Sequence, residues 1–172
     1  MPTDPAVAAP APRKQITTPD GTVAELIETR PAQPPARGSS RTKARKRALD
    51  ILFEADLRGA DARESLTLHT AEADPPVRPL TTDVVLGVVS RQGEIDAMIS
   101  EALATGWTLE RMPRIDRCLA RIAIWEMLSG TTSAEVAVQQ AVQLAQELST
   151  DDSAAFVNGL CARVGERIAA GA

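Results

Sequence analysis

Arg41, Lys43, Arg45, Lys46 and Arg47 place five cations within seven residues, and no acid stands between Ser39 and Asp50. Such a cluster suits phosphate binding, because each Lys or Arg that meets a nucleic-acid phosphate displaces a condensed counterion. The same stretch, "SSRTKARKRALDILFEADLRG", carries Ala44, Ala48, Ile51, Leu52 and Ala55 at three- and four-residue steps. That spacing predicts an amphipathic helix ending near Gly59. The cations therefore crowd a helix N-terminus, where free N–H groups favour anions and each misplaced charge costs about 0.3–1 kcal/mol at low salt. A cluster set against its own helix field points to a polyanion that it grips. The alternative is a solvated end that only aids solubility.

Other chemistry is hard to assemble. His69 is the single histidine, which argues against a catalytic triad or a His-based metal site. There is no Tyr, no Gly-rich phosphate loop after a strand and no Gly-x-Ser-x-Gly turn. Glu126 sits alone on an apolar helix face and reads as a structural carboxylate satisfied by neighbours. Cys118 and Cys161 match no metal or redox spacing and read as reduced core thiols. Neither an enzyme, a cofactor nor a metal is expected. Phe53, at the margin of the apolar face, reads as a core or partner-facing aromatic ahead of a base-stacking one.

The elements that must hold these residues are helical. With 44% hydrophobic residues but only 2% aromatic, the core is built from Leu, Ile, Val and Ala. Residues 37–47 hold six Lys/Arg and no acid, so a net charge of −4 leaves −10 on the remainder. A basic end on an acidic body suits a polyanion and a basic protein partner. Residues 1–38 contain eight of the twelve prolines and read as a disordered extension, with "VAELIETR" as a transient turn of helix. A short helix is expected over 62–70, before the Pro75–Pro79 break. One longer helix is expected from a cap at Thr82 or Asp83 to Trp107, weakened at Gly87 and Gly93. Trp107 to Met112 reads as a connecting helix stopped by Pro113. "RIDRCLARIAIWEML" reads as a buried central helix with Arg114, Arg117 and Arg121 on its one exposed stripe. Ser133 and Thr150-Asp151-Asp152 open the last two helices, with Phe156, Leu160 and Val164 inward. No apolar run reaches membrane-spanning length, and the N-terminus lacks the features of a signal peptide, so a cytoplasmic location is expected.

Three blocks, "RTKARKRALDILFEADLRG", "IDRCLARIAIWEM" and "VAVQQAVQLAQELSTDDSAAFVNGL", occur in an order and spacing that closely resembles the NusB family of bacterial transcription antitermination factors. The resemblance covers residues 39–168, leaving 169–172 as a tail; its most specific block is "ELSTDDSAAFVNG". It implies an all-α fold, a single compact helical domain of two small helical sub-bundles. It further implies binding to the boxA element of ribosomal RNA leader transcripts together with the small-subunit ribosomal protein NusE. NusA, NusG and RNA polymerase are the other members of the implied complex. On the matching positions, Arg41, Lys43, Arg45 and Lys46 would face RNA phosphates. Asp152 and Phe156 match the Asp and Phe of a segment near RNA and partner. Phe53 and Asp116 match an aromatic and an acidic position of the ribosomal-protein surface.

The chain departs from the family pattern at Gln139, Gln140 and Gln146, which stand where charges are usual and would remove a polar contact there. Family members differ in whether they form homodimers, and both states stay open. Two other readings compete. One is the NusB-like N-terminal domain of a ribosomal RNA cytosine methyltransferase, against which the chain's end at Ala172 counts. The other is a helical scaffold without an RNA role.

Overall fold

The computed structural model describes residues 39–171 and, within the N-terminal extension, the strands Lys14–Thr17 and Val23–Leu26. These strands, β1 and β2, form an antiparallel pair with Lys14 opposite Leu26 and Thr17 opposite Val23. The expected turn of helix at Val23 is thus corrected to a strand, consistent with the β-branched Ile16, Thr17 and Val23. The disorder expected for the rest of residues 1–38 lies outside the described residues.

From Ser39 onward seven α-helices follow. The first, α1 (Ser40–Arg58), begins where the Ser39 side chain accepts from the Thr42 N–H, and it ends at Gly59, whose φ of 64° supplies the left-handed cap. Next comes α2 (Ala62–Ala71), capped by Asp61. The single helix expected between Thr82 and Trp107 is instead two, α3 (Pro79–Ser90) and α4 (Gln92–Ala102). Pro79 opens α3 at the position where a missing N–H costs nothing, which displaces the expected cap at Thr82 or Asp83. The break falls at Arg91: Ser90 Oγ donates to the Gly87 carbonyl at 2.9 Å, and the Arg91 N–H closes a short turn onto Val88. Gly87 itself does different work. A Cβ there would lie 2.0 Å from Nε1 of Trp125, so its bare backbone is what admits the indole.

After a 3-10 turn at Leu109–Arg111 comes α5 (Arg114–Ser129), then α6 (Ala134–Leu148), capped by Ser133, and α7 (Ser153–Ala169). Helices α1, α2 and α3 pack on one another, and α4, α6 and α7 gather around the other side of α5. Ten of the sixteen residues of α5 are buried, as befits the helix shared by both groups. The core joins Ile51, Val84, Val88, Ile95, Ile99, Leu119, Ile124, Leu144, Val157 and Leu160, each contributing about 1.5–3 kcal/mol by leaving water. Cys118 and Cys161 lie inside it, their thiols pushed up to about 12 by burial. Reduced core thiols were expected, and their thiolates are suppressed at neutral pH.

The stripe of Arg114, Arg117 and Arg121 is not free surface. Arg117 and Arg121 reach Asp56 at 2.7 and 3.4 Å, Arg114 reaches it at 3.1 Å, and Arg121 also pairs with Asp96 at 2.8 Å. Burial pushes the Asp56 carboxyl up, but the hydrogen bond from Arg117 and the three guanidinium charges outweigh it. The carboxyl is held below its ordinary value.

Candidate nucleic-acid and partner interface

The basic start of α1 does not present one face. Arg45 precedes Ala48, Leu49 and Leu52 by three, four and seven residues, so helical geometry turns it inward with them. Its Nε donates to both Glu126 oxygens at 2.9 and 3.1 Å, and its Nη2 donates to Oε1 at 2.8 Å. Arg45 is 2% exposed and Glu126 is fully buried. The expectation that Arg45 faces phosphates is therefore corrected: its guanidinium is spent on Glu126 in the core. The same contact satisfies Glu126, the structural carboxylate expected from the sequence.

The remaining cations stay outside. Lys43 and Arg41 are exposed, and Arg41 Nη2 reaches the Thr131 carbonyl at 3.4 Å. Lys46 forms an ion pair with Glu147, both side chains being part-exposed. Lys43, Lys46, Arg47 and Arg78 line a groove of about 390 Å³ at the α2–α3 connection together with Asp50, Glu72 and Asp74. Burial raises the Asp50 carboxyl above its ordinary value, against the pull of Arg47 and Lys46. Between the inward and outward residues, Gln140 accepts from Thr42 Oγ1 at 2.7 Å and from Arg45 Nη1 at 3.5 Å, and donates to Gln143. A polar contact expected to be lost at this departure from the family pattern is thus made by a neutral amide. Gln139 and Gln146 are exposed.

Asp116 was expected on a partner surface, but it is 1% exposed. Its carboxylate accepts from Ser149 Oγ at 2.7 Å and from Ser153 Oγ at 2.8 Å, in the turn between α6 and α7. Ser153 in turn accepts from the Thr150 N–H. These two hydrogen bonds make the buried Asp116 a clamp rather than the interface residue expected from the resemblance. What it clamps is the start of α7, which carries the exposed Asp152 and, one turn on, the half-buried Phe156. Contacts tie the α1 features to α6: Arg41 meets Thr131 just before it, Thr42 meets Gln140 within it, and Lys46 meets Glu147 near its end. Arg41 and Lys46 therefore follow α6 toward the turn that presents Asp152.

Phe53 is half-buried on α1 against the core, with Leu57 exposed one turn beyond it. Trp107 was read only as the start of a connecting segment. It lies 5.7 Å from Phe156, centroid to centroid, at an interplanar angle of 35°. The guanidinium of Arg111 sits 5.8 Å from its ring centroid. Nothing in the local pattern around Trp107 signals this meeting; only the scarcity of aromatics makes the residue stand out.

Among the described residues no group of three or more His, Cys, Asp or Glu could hold a metal ion, and no helix is long and apolar enough to cross a membrane. The model of the NusB family matches residues 42–165. The chain is 55% identical over 126 residues to the transcription antitermination protein NusB of Acidothermus cellulolyticus, covering 73% of this chain and 86% of that one. It is 50% identical over 129 residues to the protein of the same name from Kineococcus radiotolerans, covering 74% and 94%. Among solved structures, NusB of T. maritima superposes with a TM-score of 0.66 at 26% identity, over 73% of this chain and 90% of that one. A crystal structure of antitermination factors NusB and NusE in complex with dsRNA shares the fold, with a TM-score of 0.65 at 21% identity over 74% and 96%. The helical order, the core and these likenesses agree: the chain belongs to the NusB family and is a transcription antitermination factor, not an enzyme.

Proposed function

We propose that this chain binds the boxA element of ribosomal RNA leader transcripts together with the small-subunit ribosomal protein NusE, and joins NusA, NusG and RNA polymerase in the antitermination complex. Residues 39–168 carry this role. The observation that carries the reading is the exposed cationic run of Arg41 and Lys43, continued by Lys46 and Arg47, on a helix end that disfavours cations. Phosphates offset that cost. Asp152 and Phe156 flank the same path, offering a carboxylate to base amines and a ring to a base. Phe53 anchors the ribosomal protein, and the acidic remainder of the molecule steers that basic partner. Arg45 and Asp116 contribute by holding α1 and α7 in place.

Gel shifts with the leader RNA, with NusE and with both together test the reading. Tighter RNA binding by the pair than by either protein alone is expected. Lys43→Ala is expected to weaken RNA binding and to reduce the log–log salt slope by about 0.7, the contribution of one single-strand phosphate contact. An unchanged slope at unchanged helicity would remove Lys43 from the interface.

A further inference from the structure

We propose that Trp107, backed by Phe156 and flanked by Arg111, is a stacking platform for an unpaired base of single-stranded RNA; this rests on the RNA-binding reading above and adds a contact to it. Four aromatic residues serve the whole chain, and three are buried or half-buried. Trp107 alone is exposed, at 48%. Its pose is nevertheless set by the loop that carries it. The Trp107 N–H donates to the Ala104 carbonyl at 3.0 Å. Gly106 turns the chain at a φ of 87°, a conformation that side chains other than glycine rarely adopt. Arg111 Nη1 donates to the Gly106 carbonyl at 2.7 Å, which holds the guanidinium over the indole, 5.8 Å from the ring centroid.

Phe156 supports the indole at a tilt of 35° and leaves much of the ring open. A preset indole with 48% of its surface exposed and a cation over its ring suits a nucleobase with its phosphate: the base stacks on the ring and the guanidinium swings out to the charge. The place fits too. Phe156 lies one turn beyond Asp152, and the turn before α7 follows Glu147, the partner of Lys46. Lys46 and the platform are thus joined through the α6–α7 turn.

The second indole, Trp125, is only 8% exposed, so contact quenching by RNA reports Trp107. The full chain is titrated with an unstructured single-stranded RNA oligonucleotide and with the same sequence as a duplex, following fluorescence and binding. Expected are quenching by the single strand and weaker quenching by the duplex. Trp107→Ala should lose the quenching and about 5- to 150-fold in single-strand affinity, with Trp107→Phe recovering part of it. The salt slope should not move, because stacking carries no charge. If the wild type binds RNA but Trp107→Ala binds the single strand equally well, the platform is wrong and the RNA reading stands. If Trp107→Ala instead weakens only NusE binding, the ring belongs to the protein partner and the platform is overturned. If the wild type binds no RNA alone or with NusE, both fall.

Discussion

Arg45 and Glu126 are two opposite charges, each alone within an apolar stripe of its own helix, and in the folded chain they meet. Removing one partner strands the other in the core. Arg45→Ala is expected to cost about 3–5 kcal/mol, read as a fall in the urea midpoint, whereas Lys43→Ala leaves that midpoint where it was. The inward turn of Arg45 was legible: its spacing to Ala48, Leu49 and Leu52 is that of a buried position. The cluster of like residues around it hid the signal, because composition treats five cations as one patch while helical geometry divides them. Glu126 was read correctly because no such neighbours obscured it. Trp107 was illegible for another reason. Its partner Phe156 is far along the chain, and no periodicity connects a loop residue to a helix face.

At the scale of the elements, helix existence followed from spacing, while the boundaries followed from contacts that spacing does not contain. α3 and α4 read as one helix because apolar residues continue in phase through Arg91, and the break depends on Ser90 turning back onto Gly87. Gly87 weakens a helix by propensity, yet its role here is to admit Trp125. Gly87→Ala is expected to destabilise by at least about 1–3 kcal/mol through overpacking, with a shift in Trp125 emission marking the displaced ring. The start of α7 depends on Asp116. Asp116→Ala leaves the hydroxyls of Ser149 and Ser153 without their acceptor, at a cost of about 1–3 kcal/mol. Faster amide exchange at the first turn of α7, with α1 unchanged, is the expected signature.

Across the whole molecule, Asp56 joins α1 to α5 through Arg114, Arg117 and Arg121, while Asp96 brings α4 to Arg121. The folded carboxyl of Asp56 is held below its ordinary value. Its contribution is therefore complete above an unfolded value of about 3.9 and drains away as pH falls through the lower folded one. The gap in melting temperature between wild type and Asp56→Asn should be wide at neutral pH and narrow below about pH 4. A gap that holds constant into acid would show that Asp56 does not carry this dependence. The all-α class was legible from helical spacing, and the basic run within an acidic chain from the placement of charges. Which arginines are already matched was not, because that requires knowing which helices touch.

The pairing of Lys46 with Glu147 gives the proposed RNA-binding end a resident rival. Any strand that takes up Lys46 must first win it from a carboxylate that cannot diffuse away, so a lone phosphate gains little there and a chain of them gains more. Blunting that rival with Glu147→Gln should therefore tighten the grip on RNA, an improvement by mutation that a purely attractive surface would not offer.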